Sequence, residues 1–157
     1  MPRSQVTVRV HRPAPVVFDA IARHCWTNEP AWEPEVLGVK PDDGGLREGG
    51  RVVMTRRENG RVLDTSYEIT ELAAPGRIAV AHLDGPMRFA LSWDVAPAGA
   101  EKADVTVTVT IRLLGAMRLL TPLIALGAPG RNARISAAMG RSIESATASM
   151  AGIPVAV

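Results

Sequence analysis

Asn59-Gly60 limits what this chain can fold into more tightly than any other short stretch. A two-residue loop of that composition takes positive φ at both positions and closes a hairpin between antiparallel strands. The flanking runs, residues 50–58 and 61–72, are β-like. The turn sets their register: Glu58 opposes Arg61, Arg56 opposes Leu63, Met54 opposes Thr65, and Val52 opposes Tyr67. Directly opposed residues share a face. One face is therefore Val52, Met54, Leu63, Thr65, Tyr67 and Ile69, with Arg56 as its single charge. The other is polar and places Arg51 against Glu68. The first face is expected to point inward.

The same alternation recurs along the chain. Val6, Val8 and Val10 alternate with Thr7, Arg9 and His11, which predicts a half-buried first strand. Pro13-Ala14-Pro15 can open a helix, whose apolar stripe is Val17, Phe18, Ile21 and Cys25. Residues 35–40 read as extended. Strands are expected at 77–83 and 87–96, the second presenting Met87, Phe89, Leu91, Trp93 and Val95 on one face. Residues 104–113 alternate valine and threonine and form the clearest strand. The remainder reads as helical: an apolar segment at 117–126 containing Pro122, a break at 127–130, then a stripe of Ile135, Met139, Ile143, Ala146 and Met150. Strands joined by short turns make an antiparallel sheet, and the long last helix is the natural cover for its apolar face.

At 157 residues with one cysteine, the chain is expected to be a single domain without a disulfide framework. It shows no signal peptide and no run long enough to span a membrane, so a cytoplasmic location is expected. The net charge is only +2, yet after Asp104 the sole acid is Glu144, against Arg112, Arg118, Arg131, Arg134 and Arg141. That apolar, basic segment is either a solvated helix face or a surface for transient contact with an anionic membrane. Nucleic-acid binding fits poorly, because three Trp, two Phe and one Tyr are not interleaved with a basic stripe.

Residues 23–36, "RHCWTNEPAWEPEV", concentrate reactive side chains. Zinc needs several converging ligands at recognisable spacing, and His11, His24 and His82 are far apart with no H-x-x-x-H or C-x-x-C, so no metal is expected. His24 falls on the buried helical stripe, as a hydrogen-bonded core residue or a partner of the helix C-terminus. Glu29, Glu33 and Glu35 flank prolines and are expected to face water. Trp26 and Trp32 serve as a lid or as packing anchors. Arg56 either binds a ligand carboxylate or carbonyl from the inner face, or reaches solvent near the hairpin tip. Tyr67 either bonds to backbone in the core, hydrogen-bonds a ligand, or donates a proton to an enolate. His82 can face either way. Met54, Met87, Met117, Met139 and Met150 suit a pocket that accepts varied apolar shapes, or simply a core.

The ordered series "RPAPVVFDAIAR", "PAWEPEVLGV", "GGRVVMTRR", "TSYEITELAAPGRIAV", "FALSWDVAPAGAEKADVTVTVTI" and "LLTPLIAL" resembles the START-like (SRPBCC) superfamily, in its polyketide cyclase/dehydrase-like branch. The resemblance spans nearly the whole chain. It implies an α+β helix-grip (START/Bet v 1-like) fold: a curved antiparallel sheet of about six to seven strands around a long C-terminal helix, with a cavity between them. It further implies either binding of a small hydrophobic molecule (lipid, polyketide or quinone) without a cofactor, or a polyketide cyclase or dehydrase. Pro122 and the expected break at 127–130 depart from the usual approach to the last helix. The expected ligand-binding set is Arg56, Tyr67, His82, Met54, Thr65, Met87, Phe89, Leu91, Trp93, Trp32, Met139 and Ile143. Residues 23–36 are expected to close one end of the cavity as the helix-to-strand crossover.

Overall fold

A computed structural model describes residues 2–27 and 32–150, apart from the side chains of Thr27 and 147–150. The elements follow in the order β1 (Arg3–Val10), α1 (Ala14–Thr27), β2 (Val36–Pro41), β3 (Arg51–Glu58), β4 (Arg61–Ala73), β5 (Arg77–His82), β6 (Met87–Pro97) and β7 (Ala103–Leu113). A 3-10 segment, Gly115–Leu120, leads into α2 (Thr121–Met150). The strands form one seven-stranded antiparallel sheet in the order β1-β7-β6-β5-β4-β3-β2. From β2 onward each strand pairs with the next, and only β1 crosses over to pair with β7. Register shifts interrupt β2–β3 at Val36/Gly38 and β4–β5 at Ile69/Glu71. Irregularities of this kind bend a strand and help a sheet curve. The α+β helix-grip architecture follows.

The turn chemistry predicts the β3–β4 pairing completely. Asn59 and Gly60 take φ of 49° and 76°, and all the expected pairs from Arg51↔Glu68 to Glu58↔Arg61 form. Val52, Met54, Tyr67 and Ile69 are buried, as the inner face requires. Leu63, expected on that face, is instead 45% exposed, because it lies only two residues from the turn.

Val17, Phe18, Ile21 and Cys25 of α1 are buried, and Val17 N donates to the Pro13 carbonyl at 3.1 Å to close the first turn. The long helix differs from expectation. Residues 127–130 do not break it: α2 runs unbroken from Thr121. Pro122 sits in the first turn, where its missing N–H has no helical partner to lose, and Pro129, inside the helix, has no N–H to donate to the Ala125 carbonyl. The buried stripe also shifts. Asn132, Ser136, Met139 and Ile143 are buried, Ile135 is half-buried and Ala146 is exposed, while the Met150 side chain lies outside the described residues.

Polar contacts fasten α2 to β1, the strand on which it chiefly packs. Asn132 Nδ2 donates to Ser4 Oγ at 3.1 Å and to the Val107 carbonyl at 3.4 Å, and Ser136 Oγ donates to Asn132 Oδ1 at 3.3 Å. Farther along, Glu144 Oε1 accepts from the His11 backbone N–H at 2.7 Å, and Arg12 Nη2 donates to the Glu144 carbonyl at 2.8 Å. Ile21, Ile69, Ile78 and Ile143 are fully buried in the solid part of the core. Among the described residues no helix is long and apolar enough to cross a membrane.

Candidate functional site

Between the inner face of the sheet and the first half of α2 lies a cavity of about 480 Å³. Its volume is that of a site for a small organic molecule. Alternation along the strands supplies the walls: Met54 from β3, Phe89, Leu91 and Trp93 from β6, and Val107, Val109 and Ile111 from β7. The helix contributes Ile124, Gly127, Ala128, Ile135 and Met139. Gly127 has no side chain, and a Cβ built there would meet nothing within 4 Å, so this turn of the helix leaves space beside the cavity.

The charged groups of the lining connect through Arg56 of β3. Arg56 Nη2 donates to Glu33 Oε2 at 2.6 Å, with the two side chains only 15% and 12% exposed. Arg56 Nη1 also approaches Glu58 Oε1 at 3.9 Å, and that oxygen faces Arg131 Nη2 of α2 at 3.5 Å. A chain of alternating charge thus joins the crossover, the hairpin and the helix. Arg56 Nε is buried and, among the described residues, has no hydrogen-bond partner. A buried unsatisfied donor of this kind is costly, and a ligand acceptor could relieve it.

Burial pushes the Glu33 carboxyl above the ordinary carboxylate range; the positive charges of Arg56 and Arg131 oppose this without cancelling it. The short contact to Arg56 would by itself favour the ionised form, but removal from water outweighs it. Tyr67 is pushed up to about 12, chiefly by burial, with Arg56 pulling the other way. The phenol therefore stays protonated, as a hydrogen-bond donor. Phe89 meets it edge-on, with ring centroids 5.1 Å apart.

The described part of residues 23–36 supplies cavity wall. His24, Cys25, Trp32 and Glu33 all line the cavity. Glu33 overturns the expectation that these glutamates face water, whereas Glu35 is exposed and Glu29 lies outside the described residues. Trp32 stacks on buried His24 with centroids 3.6 Å apart. Burial, and then the negative charge of Glu33, raise the Cys25 thiol well above its usual range, so it is held as an unreactive thiol. Trp26 is half-buried and packs against the core.

Of the residues singled out from sequence, Arg56, Tyr67, Met54, Met87, Phe89, Leu91, Trp93, Trp32 and Met139 line the cavity. Thr65, His82 and Ile143 are not in its lining. Thr65 is half-buried opposite Met54, and Ile143 is in the solid core. His82 pairs with Phe89 and so shares the inner face, but its Nδ1 donates to the Ser66 carbonyl at 2.8 Å. Arg56 does not reach past the helix into solvent. Sequence reasoning missed Glu33, Glu58, Arg131, Asn132 and Ser136 as cavity residues. The available signal for Glu33 was Arg56 itself, since an inward guanidinium calls for an anion nearby. Among the described residues no three His, Cys, Asp or Glu side chains group to hold a metal ion.

The sequence model of a family described as polyketide cyclase / dehydrase and lipid transport matches residues 1–151. The chain belongs to this family. A search of curated proteins finds no match. Solved structures share the fold at low identity. A START superfamily protein from Mycobacterium smegmatis is 14% identical, with a TM-score of 0.73 over 91% of this chain and 97% of that one. The di-domain ARO/CYC BexL of the BE-7585A biosynthetic pathway is 20% identical, with a TM-score of 0.70 over 92% of this chain and 47% of that one. Norcoclaurine synthase from Thalictrum flavum, in complex with dopamine and hydroxybenzaldehyde, is 14% identical, with a TM-score of 0.65 over 94% of this chain and 86% of that one. Family membership supports a ligand-binding or polyketide cyclase-type protein.

Proposed function

We propose that this family member binds a small, largely apolar molecule with one polar end in the cavity between sheet and α2. The observation that carries the reading is the cavity's lining: apolar walls from β6 and β7, with the buried Arg56–Glu33 pair and Tyr67 among its polar groups. Burial of the ligand's apolar area would supply most of the affinity. Arg56 Nε and the Tyr67 hydroxyl would orient a carbonyl, phenol or carboxylate oxygen. Lipid, polyketide and quinone classes all fit that description, and binding needs no cofactor. A cytoplasmic location accords with this reading.

A cyclase or dehydrase is the second reading, and Glu33 is the observation that favours it. A buried carboxyl whose proton affinity is raised by its removal from water is a candidate to take and return a proton. Beside it, Arg56 and Tyr67 could stabilise the oxygen of an enolate while the carboxylate holds the proton taken from carbon.

Native mass spectrometry of gently purified protein, repeated after organic extraction, tests the first reading. A discrete added mass that extraction removes is the expected result and identifies the ligand class. An empty protein that turns over a polyketide thioester, and loses that activity in Glu33→Gln, would replace binding with catalysis.

A further inference from the structure

The approach to α2 is apolar and unburied. The 3-10 segment Gly115–Leu120 contains no buried residue. Leu119 is 84% exposed, Leu123 69% and Leu126 84%, at steps of four and three, with Leu120 at 44% beside them. Leucines in such numbers are not needed on a solvated helix face. The β5–β6 turn lies against the same end. Leu114 N donates to the Pro86 carbonyl at 2.8 Å, Met87 pairs with Leu113, and Leu83 is 52% exposed.

Positive charge surrounds this surface. Arg88 and Arg112 are exposed register partners at the adjoining strand ends, Arg118 lies within the 3-10 segment, and Arg131 and Arg134 follow on α2. Among the described residues the acids nearby are Asp84, on the turn, Glu58, which already faces Arg56 and Arg131, and Glu33, which is bonded to Arg56 and lies within the field of Arg131. The surface also adjoins the cavity, since Met87, Ile111, Ile124 and Gly127 belong to its lining.

We propose that Leu119, Leu120, Leu123 and Leu126, flanked by these arginines, dock the protein on an anionic lipid bilayer with the cavity mouth facing the membrane. Leucines on one side of a short helical segment can enter the headgroup boundary while the arginines meet lipid phosphates. Charge argues for lipid over a second copy of the chain. Two such faces brought together about a two-fold axis would oppose arginine to arginine, whereas an anionic bilayer complements both features at once. The docking surface does not depend on the ligand-binding reading, and its test needs no ligand.

Flotation with vesicles of phosphatidylglycerol and phosphatidylcholine, set against vesicles of phosphatidylcholine alone, reads the interaction. The protein is expected to float with the anionic vesicles and to be released as salt rises. Leu119→Ser/Leu123→Ser/Leu126→Ser should weaken flotation at least about tenfold, because the leucines supply the apolar part of the attachment. All three positions are exposed, so an unchanged circular dichroism spectrum is expected. Arg118→Glu should weaken binding to the anionic vesicles and leave the phosphatidylcholine control unaltered. Absence of flotation overturns the proposal, as does flotation that survives the triple substitution. A concentration-dependent dimer abolished by the same substitution, without vesicle binding, would overturn it in favour of a second copy.

Discussion

Glu33 and Arg56 meet at 2.6 Å, yet burial still holds the Glu33 carboxyl above its ordinary range. The folded protein therefore binds that proton more tightly than the unfolded chain does. The stability this group contributes is greatest below the ordinary carboxylate range and falls as pH rises through the raised folded value. Each tenfold difference in proton affinity between the two states corresponds to about 1.4 kcal/mol. Asp42, Asp104 and Glu144 act oppositely: hydrogen bonds from Arg51, Arg9 and His11 respectively hold them low, and their contribution is lost in more acid solution. Glu33→Gln should flatten the falling limb of unfolding free energy against pH in urea titrations, leaving the acid limb in place. A limb unchanged by the substitution would assign it to another group. An inward Arg56 called for an anion, but sequence could not say that Glu33 supplies it, for a physical reason. Glu33 lies in a proline-broken crossover with no period, so nothing fixes which way its side chain points. Arg56 sits in a register counted from a turn, and its inward direction could be read.

At the scale of elements, the β3–β4 hairpin was fully readable because two residues with positive φ leave one geometry for the turn, and strand alternation propagates it. Gly60 has φ of 76°, and a Cβ built there meets nothing within 4 Å. Gly60→Ala should therefore lower stability through backbone strain alone, by about 1 kcal/mol. A shifted urea midpoint with an unchanged m-value is the expected signature. No shift would mean that the turn relaxes to another form. The approach to α2 was misread because glycine and proline propensities are local costs. Gly127 and Gly130 weaken a helix without ending it, and Pro129 removes one bond while the turns beyond it are held by β1. The shifted stripe has a similar origin. Sequence periodicity ranks residues by apolarity, but Asn132 is buried because Ser4 and the backbone of Val107 satisfy its amide, and Ser136 because it donates to Asn132.

At the scale of the molecule, the space under α2 divides into a solid part around Ile21, Ile69, Ile78 and Ile143 and a hollow part lined by Phe89, Leu91 and Met139. Sequence could not separate the two, since a packed core and a cavity wall use the same residue types. Mutational cost should separate them. Ile143→Ala leaves a new void in close packing and is expected to cost about 2–5 kcal/mol. Leu91→Ala only enlarges space already present and should cost clearly less by urea denaturation. Equal losses would mean that the hollow is closed in solution. The same division makes α2 a cantilever. From Asn132 to Glu144 it is fastened to Ser4 of β1 and to His11 just beyond that strand, while toward Thr121 its leucines are exposed and carry no load from the core. The rung missing at Pro129 lies just short of the fastened part, where a cantilever's bending moment is largest. Whatever seats on those leucines therefore bears on the end of α2 that walls the cavity through Ile124, Gly127 and Ala128, and not on the end fixed to the rest of the fold.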